Sequence, residues 1–236
     1  MPVYLDNETS MLTYVKDVKY RVITGTARTA KAGENISGDN YSFIKLRAGK
    51  FIMMITDGMG SGYNAYHESE TVIEMLEQLL GAGFSEKMAL RFVNNTMLFA
   101  GREDMFSTVD MCVIDLNSGM CECIKCGAAS TYIKRKNGVI VAGNDSVPLG
   151  IIPEMNYSGT SYRLSDGDYV IMISDGIEDS FNPEEVENEI CRLIGDSTTV
   201  NTAEMAEYIL ESARNSNIYG AVDDMSVIVA EVIDKN

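Results

Sequence analysis

Apolar residues recur along this chain with two different periods. Residues 19–29 and 41–46 are rich in β-branched and aromatic side chains and are bounded by Gly, Asn and Asp, which predicts two strands. A turn at Arg47-Ala48-Gly49-Lys50 leads into Phe51-Ile52-Met53-Met54-Ile55, a continuous apolar run typical of a strand covered on both faces. Over 63–80 the spacing becomes helical, through Val72, Met75, Leu76, Leu79 and Leu80, and Gly81 and Gly83 close the element. Ser85 reads as the N-cap of a second helix over 87–100. Strands follow at 109–116, 120–126, 130–135 and 139–142, with hairpin turns at Asn117-Ser118-Gly119 and Lys136-Asn137-Gly138. Another buried strand spans 169–173, two acidic amphipathic helices span 183–194 and 202–212, and 225–233 is a final strand. No linker interrupts the pattern. Residues 1–236 therefore read as a single domain of sheets with flanking helix pairs, and 1–18 as an N-terminal extension or linker.

Composition removes several functions. With 236 residues, 45% hydrophobic and 23% charged, the chain is globular and long enough for a full core. Its 19 Lys and Arg against 35 Asp and Glu give a net charge of −16. Such a surface repels phosphodiester backbones and anionic lipid, and no basic patch overrides it, so nucleic acid and a membrane surface are not expected partners. No apolar run reaches the roughly 18 residues of a membrane span. The acid concentrates after Phe181, mostly on predicted helices, where a solvated face is the ordinary explanation. A single His excludes chemistry that needs two imidazoles and metal sites built mainly from His. Five cysteines, an odd number, with no signal peptide over 1–10, imply reduced thiols and a cytoplasmic setting. Cys123-Ile124-Lys125-Cys126 is a lone CxxC, read as thiols packed along a strand in preference to a zinc site. No Cys has Arg six residues later, as a cysteine-nucleophile phosphatase loop requires.

One internal echo carries chemistry. Phe51-Ile52-Met53-Met54-Ile55-Thr56-Asp57-Gly58-Met59 matches Tyr169-Val170-Ile171-Met172-Ile173-Ser174-Asp175-Gly176-Ile177 class for class. Each is a buried strand ending in a hydroxyl residue and Asp-Gly. A carboxylate at the mouth of such a strand is costly to desolvate unless a cation or donors meet it, and the glycine lets a ligand approach the backbone. Two further aspartates precede strands, Asp39 before Tyr41 and Asp223-Asp224 before Met225. A hairpin over 40–56 with a three-residue loop sets Asp39 opposite Asp57, and a four-residue loop shifts that register by one; in both cases the strand start and the strand end lie side by side. An antiparallel pairing of 169–173 with 225–233 brings Asp175 to Asp223 in the same manner. Clustered carboxylates need counter-charge, and an oxygen-only set suits Mg2+ or Mn2+. Two such ions roughly 4 Å apart activate water for phosphoryl chemistry without His or Cys.

Other motifs read more plainly. Asp166-Gly167-Asp168 is a turn before a strand, whereas the DxD of aspartyl-phosphate hydrolases follows one. Gly60-Ser61-Gly62-Tyr63-Asn64-Ala65 mimics a dinucleotide-binding loop, but the next element reads as a helix where a strand ending in an acid is required.

In order, Gly38-Asp39-Asn40-Tyr41-Ser42, Asp57-Gly58-Met59-Gly60-Ser61-Gly62, Lys125-Cys126-Gly127-Ala128, Ser174-Asp175-Gly176 and Asp223-Asp224-Met225-Ser226-Val227 resemble the motifs of the bacterial branch of metal-dependent serine/threonine protein phosphatases, its sporulation members above all. The resemblance runs from about Tyr20 to Ile233. It implies an α+β fold, a four-layer α-β-β-α sandwich of two antiparallel sheets flanked by helix pairs. It also implies dependence on two Mn2+ or Mg2+ ions and a phosphoserine protein substrate, an anti-sigma-factor antagonist. By resemblance Asp57 bridges the metals, the Gly58 carbonyl joins one, Asp39 and Asp175 complete the shells, and Asp223 is favoured over Asp224. The family often carries an Arg shortly before the first Asp motif to bind phosphate; here Arg28 and Lys31 lie eleven and eight residues upstream, a departure from that pattern. The helices after Gly62 resemble a regulatory switch in which Glu68 or Glu70 could help, and through which a homodimer could form. The rival readings are a pseudophosphatase that binds a partner without hydrolysis and an NAD-binding oxidoreductase.

Overall fold

A computed structural model describes residues 3–4, 10–11, 17–47, 49–99, 106–143, 146–155, 157, 159–216 and 223–235. Two short strands, β1 (Val3–Tyr4) and β2 (Ser10–Met11), pair near the N-terminus; most of the expected extension over 1–18 lies outside the described residues. Then come β3 (Tyr20–Thr29), β4 (Asp39–Lys45), β5 (Lys50–Gly58), α1 (Gly62–Gly81), α2 (Glu86–Phe99), β6 (Ser107–Asp115), β7 (Met120–Cys126), β8 (Thr131–Arg135), β9 (Gly138–Ala142), β10 (Thr160–Arg163), β11 (Asp168–Ile173), α3 (Asp175–Glu178), α4 (Val186–Asp196), α5 (Thr202–Ser216) and β12 (Met225–Asp234). Two five-stranded antiparallel sheets result, in the orders β10-β7-β6-β5-β4 and β3-β12-β11-β8-β9.

Alternation along the strands sorts side chains into the layers. In β5, Phe51, Met53 and Ile55 join Val170 and Met172 of β11 in the core between the sheets. Ile52 and Met54 face the other way, onto Val72, Leu76 and Leu80 of α1 and Leu90 and Val93 of α2. Tyr169, Ile171 and Ile173 of β11 turn outward onto Ile190 and Ile194 of α4 and Met205 and Ile209 of α5. Each fully buried Leu, Ile or Met contributes roughly 2 kcal/mol of transfer free energy, so both continuous apolar runs are explained by packing on two faces. The α-β-β-α sandwich is thus present. No described helix is long and apolar enough to cross a membrane. Exposed Glu184, Glu185, Glu187, Glu204 and Glu207 form the expected solvated skin.

Three local expectations change. The strand β10 lies where the sequence predicts none, because Thr160, Ser161 and Arg163 are exposed on an edge and carry no apolar signal. Helix α4 begins at Val186 and not at residue 183, since Pro183 sits in the preceding turn. A four-residue helix, α3, follows β11 directly. Ser85 does cap α2, accepting the Met88 N–H at 3.4 Å.

Candidate metal centre

The hairpin register delivers the first carboxylate pair. Leu46 N–H donates to the Lys50 carbonyl at 2.8 Å across the turn, and the β4 and β5 partners run from Lys45 opposite Phe51 to Asp39 opposite Asp57. Asp57 shares the parity of Met53 and Ile55, so both carboxylates belong to the inter-sheet side, at the open end of the sandwich. The second pair meets less directly than expected. Ile173 is opposite Val227 and Ser174 N–H donates to the Ser226 carbonyl at 3.0 Å, which carries Asp175 toward Met225, two residues short of Asp223. Asp223 is still near enough to act on Asp175 electrostatically.

Asp39 is fully buried, and among the described residues neither of its carboxylate oxygens has a hydrogen-bond partner. Burial pushes its pKa up to about 7; the nearby hydroxyls of Ser226 and Ser174 pull it back without reaching hydrogen-bond geometry, and Asp175 and Asp224 push it further. Asp57 is pushed up to about 9, by burial first and then by Asp39, Asp175, Asp223 and Asp224. The two interact and titrate as a pair. Asp175 is the open member of the group, facing solvent; partial desolvation and then Asp223 raise it to about 6, and water damps that push more than for the buried pair. A buried carboxylate without a donor costs several kcal/mol unless protonated or met by a cation, so an all-oxygen set of this kind fits a hard divalent ion. Among the described residues, no three of these carboxylates bring oxygens within 4.8 Å of one another, as a cage around a single ion would.

The structure separates the final acidic pair. Asp224 is buried, and its two oxygens accept the Lys31 N–H at 2.8 Å and the Gly38 N–H at 2.7 Å. It holds the 31–38 loop in place behind Asp39. Among the described residues Asp223, half-buried, accepts the adjacent Asp224 N–H at 2.9 Å. Both Asp-Gly glycines serve packing where the sequence suggests room for a ligand. A Cβ at Gly58 would lie 2.2 Å from the Ala65 carbonyl oxygen of α1, and one at Gly176 would lie 2.2 Å from the Asp224 carbonyl oxygen. The echoed hydroxyls are local ties: Thr56 Oγ1 donates to the Ser69 carbonyl at 3.4 Å and Ser174 Oγ accepts the Ser226 N–H at 2.9 Å. Glu70 is occupied on the surface of α1, accepting from Tyr66 OH at 2.8 Å beside His67.

Arg28 is a neighbour that spacing does not reveal. Its exposed guanidinium donates from Nη1 to the Asp39 carbonyl at 3.3 Å, because β3 runs up the second sheet to the same open end. A small cavity of about 20 Å³ is lined by Asp57, Thr108, residues 127–129, Ser174 and Asp175. A larger one of about 410 Å³, lined by Lys87, Arg91, Met155 and Tyr157 among others, contains none of the candidate aspartates.

The rival motifs find other uses. A Cβ at Gly62 would sit 2.8 Å from Glu34 Oε2, so an acid occupies the loop where a pyrophosphate would need donors, and the next element is the helix α2. Asp166-Gly167-Asp168 forms a turn before β11, with Gly167 at φ 76°. Cys123 and Cys126 point to opposite faces of β7 and cannot share an ion, whereas Cys112, Cys121 and Cys123 cluster inside the inter-sheet core.

Comparison with known proteins bears on the family and the fold. The family model for stage II sporulation protein E (SpoIIE) matches residues 47–233. Stage II sporulation protein E of Priestia megaterium is 36% identical over 216 residues, 90% of this chain and 37% of the relative, so the chain spans little more than a third of that protein. The structure of the PP2C phosphatase domain and a fragment of the regulatory domain of SpoIIE from Bacillus subtilis is 33% identical with a TM-score of 0.86, covering 93% of this chain and 65% of the other. The phosphatase domain of the same protein in a crystal form without domain swapping is 32% identical with a TM-score of 0.73, covering 94% and 96%.

Proposed function

This chain belongs to the stage II sporulation protein E family of PP2C-type serine/threonine phosphatases, and from that premise we propose that it hydrolyses phosphoserine on a partner protein resembling an anti-sigma-factor antagonist, with two Mn2+ or Mg2+ ions held by Asp39, Asp57, Asp175, Asp223 and the Gly58 carbonyl. The observation that carries this reading is Asp39, fully buried with both oxygens unpartnered directly opposite Asp57. When bound, the two ions would supply an activated water and neutralise phosphoryl oxygens. The chain's own contribution is placement. Asp57 is fixed through its backbone, its N–H donating to Thr108 Oγ1 at 3.2 Å and its carbonyl accepting from Ser107 Oγ at 2.7 Å. Asp224 keeps the Asp39 loop closed through two backbone amides. The five free thiols suit a reducing, cytoplasmic compartment. Phosphate release from a phosphoserine anti-sigma antagonist, measured with and without Mn2+, tests the whole reading; no release at millimolar Mn2+ sinks it in favour of a partner-binding pseudophosphatase.

Mn2+ affinity should strengthen as pH rises. Burial and mutual repulsion raise Asp39, Asp57 and Asp175 above their ordinary range, so protons occupy the metal-free site near neutrality and the ion must displace them. Calorimetry at pH 7 in two buffers of different ionisation enthalpy should show release of up to about one proton per site filled, and correspondingly an affinity gain of up to about tenfold per pH unit between pH 6 and 8. A pH-independent affinity contradicts the assignment.

Arg28 is proposed to bind the substrate phosphate in place of an Arg nearer the first Asp motif. Its guanidinium is exposed beside Asp39, and no acid forms an ion pair with it among the described residues. Charge-assisted hydrogen bonds contribute about 1.5–3 kcal/mol, so Arg28→Ala should raise KM for a phosphoserine peptide roughly 10- to 100-fold with unchanged Mn2+ affinity. An unaltered KM rules Arg28 out.

A further inference from the structure

Asp110 of β6 and Lys125 of β7 face one another in register inside the first sheet, and both are essentially excluded from solvent. Lys125 Nζ donates to Asp110 Oδ2 at 2.7 Å, to Thr131 Oγ1 at 2.9 Å and to the Ala129 carbonyl at 2.5 Å, and Thr131 Oγ1 donates to Asp110 Oδ2 at 2.5 Å. The three donors of the ammonium thus meet three acceptors. Thr131 opens β8 in the second sheet, so the network ties the two sheets together. A buried ion pair of this kind is often no more stabilising than apolar residues of the same shape. What Lys125 adds is a direct hold on the chain that crosses between the sheets, residues 127–130.

That crossing segment is a wall of the metal centre. Residues 127–129 line the small cavity with Asp57, Thr108, Ser174 and Asp175. It is pinned at both ends: Gly127 N–H donates to Ser146 Oγ at 2.9 Å, and Ser130 N–H donates to Glu178 Oε1 at 2.9 Å. Gly127 adopts φ 67° against Pro148, where a Cβ would come within 2.4 Å of the ring. Between the pins and among the described residues, Lys125 is the partner of the Ala129 carbonyl, and the amides of Ala128 and Ala129 have none. These amides belong to the segment that lines the cavity with Asp57 and Asp175, and backbone donors of this kind suit a phosphoryl or substrate carbonyl oxygen.

We propose that Lys125 is a positioning residue for phosphoester hydrolysis: anchored by Asp110 and Thr131, it holds the Ala129 carbonyl and thereby sets the 127–129 wall, with its backbone amides, against the substrate beside Asp57 and Asp175. This inference rests on the phosphatase reading above. The variant that tests it is Asp110→Asn/Lys125→Met, which removes both charges together and leaves no buried ion unpaired. With Mn2+ affinity within about threefold of the parent chain, kcat/KM on a synthetic phosphoserine peptide should fall at least tenfold, and amide exchange at 128–130 should quicken. A folded double variant whose kcat/KM stays within twofold overturns the proposal. If the double variant does not fold, Thr131→Val, which keeps the ion pair and loosens one anchor, should lower kcat/KM about threefold at unchanged Mn2+ affinity, and parental kinetics in it overturn the proposal equally. A parent chain that binds Mn2+ but releases no phosphate fails the phosphatase reading itself, a result separate from either variant's.

Discussion

Replacing Asp57 by asparagine lowers Mn2+-dependent phosphate release at least about 1,000-fold, the scale on which removal of a central electrostatic element of a reaction registers. Asp57 is opposite Asp39, within the field of Asp175 and Asp223, and centred among the candidate ligands, so a neutral amide there weakens every metal contact the group can make. The same change should stabilise the metal-free fold. In the folded chain the Asp57 pKa lies well above its ordinary value of 3.8, so between those values the native state holds a proton that the unfolded state has lost. Stability of the metal-free chain therefore declines as pH rises through that window. The Asp57→Asn substitution removes this dependence, so the metal-free melting temperature of the variant should exceed the parent's at pH 8 and approach it near pH 4. Activity within tenfold of the parent refutes the role of Asp57. A variant that melts lower than the parent at pH 8 refutes the electrostatic account of the metal-free site.

The second large effect is on stability. Lys125→Met alone strands Asp110, fully buried, with Thr131 as its remaining partner. Breaking a buried pair by removing one member costs about 3–5 kcal/mol, a large share of the roughly 5–15 kcal/mol available to a domain. At about 2–4 °C per kcal/mol for a chain of this size, the melting temperature should drop by roughly 6–20 °C. Burial already pushes the Asp110 pKa up, and without the ammonium it rises further, so the loss should shrink on acidification as the carboxyl protonates. A shift under about 2 °C, less than a single kcal/mol would produce, means that the pair carries no such desolvation penalty. The contrast with the milder double variant separates an uncompensated charge from loss of the 127–130 anchor.

Much of this architecture is local and therefore legible in the chain. Continuous apolar runs at 51–55 and 169–173 announce strands covered on both faces, and each has a helix-backed and a sheet-backed side. The short turn after Leu46 brings Asp39 beside Asp57; loop length leaves the register open by one residue, and the bond from Leu46 N–H to the Lys50 carbonyl selects the one that sets them opposite. Asp175 and Asp223 are recognisable as strand-end acids, but the two-residue offset between them depends on where β11 and β12 stop pairing, which neither segment encodes alone. β10 escapes notice because an exposed edge needs no apolar alternation.

What only the tertiary structure decides is which polar groups meet across long sequence separations. Asp224 and Asp223 are identical residues side by side, yet one is spent on the amides of Lys31 and Gly38, nearly two hundred positions away in the chain, and the other acts electrostatically on Asp57 and Asp175. Arg28 reaches Asp39 through the packing of one sheet on the other, not through spacing along the chain. Lys125 looks like an ordinary strand lysine until Asp110, Ala129 and Thr131 surround it. Period and turn chemistry are short-range and can be read from neighbours in sequence, so the sequence alone determined the buried strands, the flanking helices and the four strand-end aspartates. Desolvation and hydrogen bonding depend on whatever surrounds a group in space, so the fold decided which carboxylates remain unpaired and which merely hold it together.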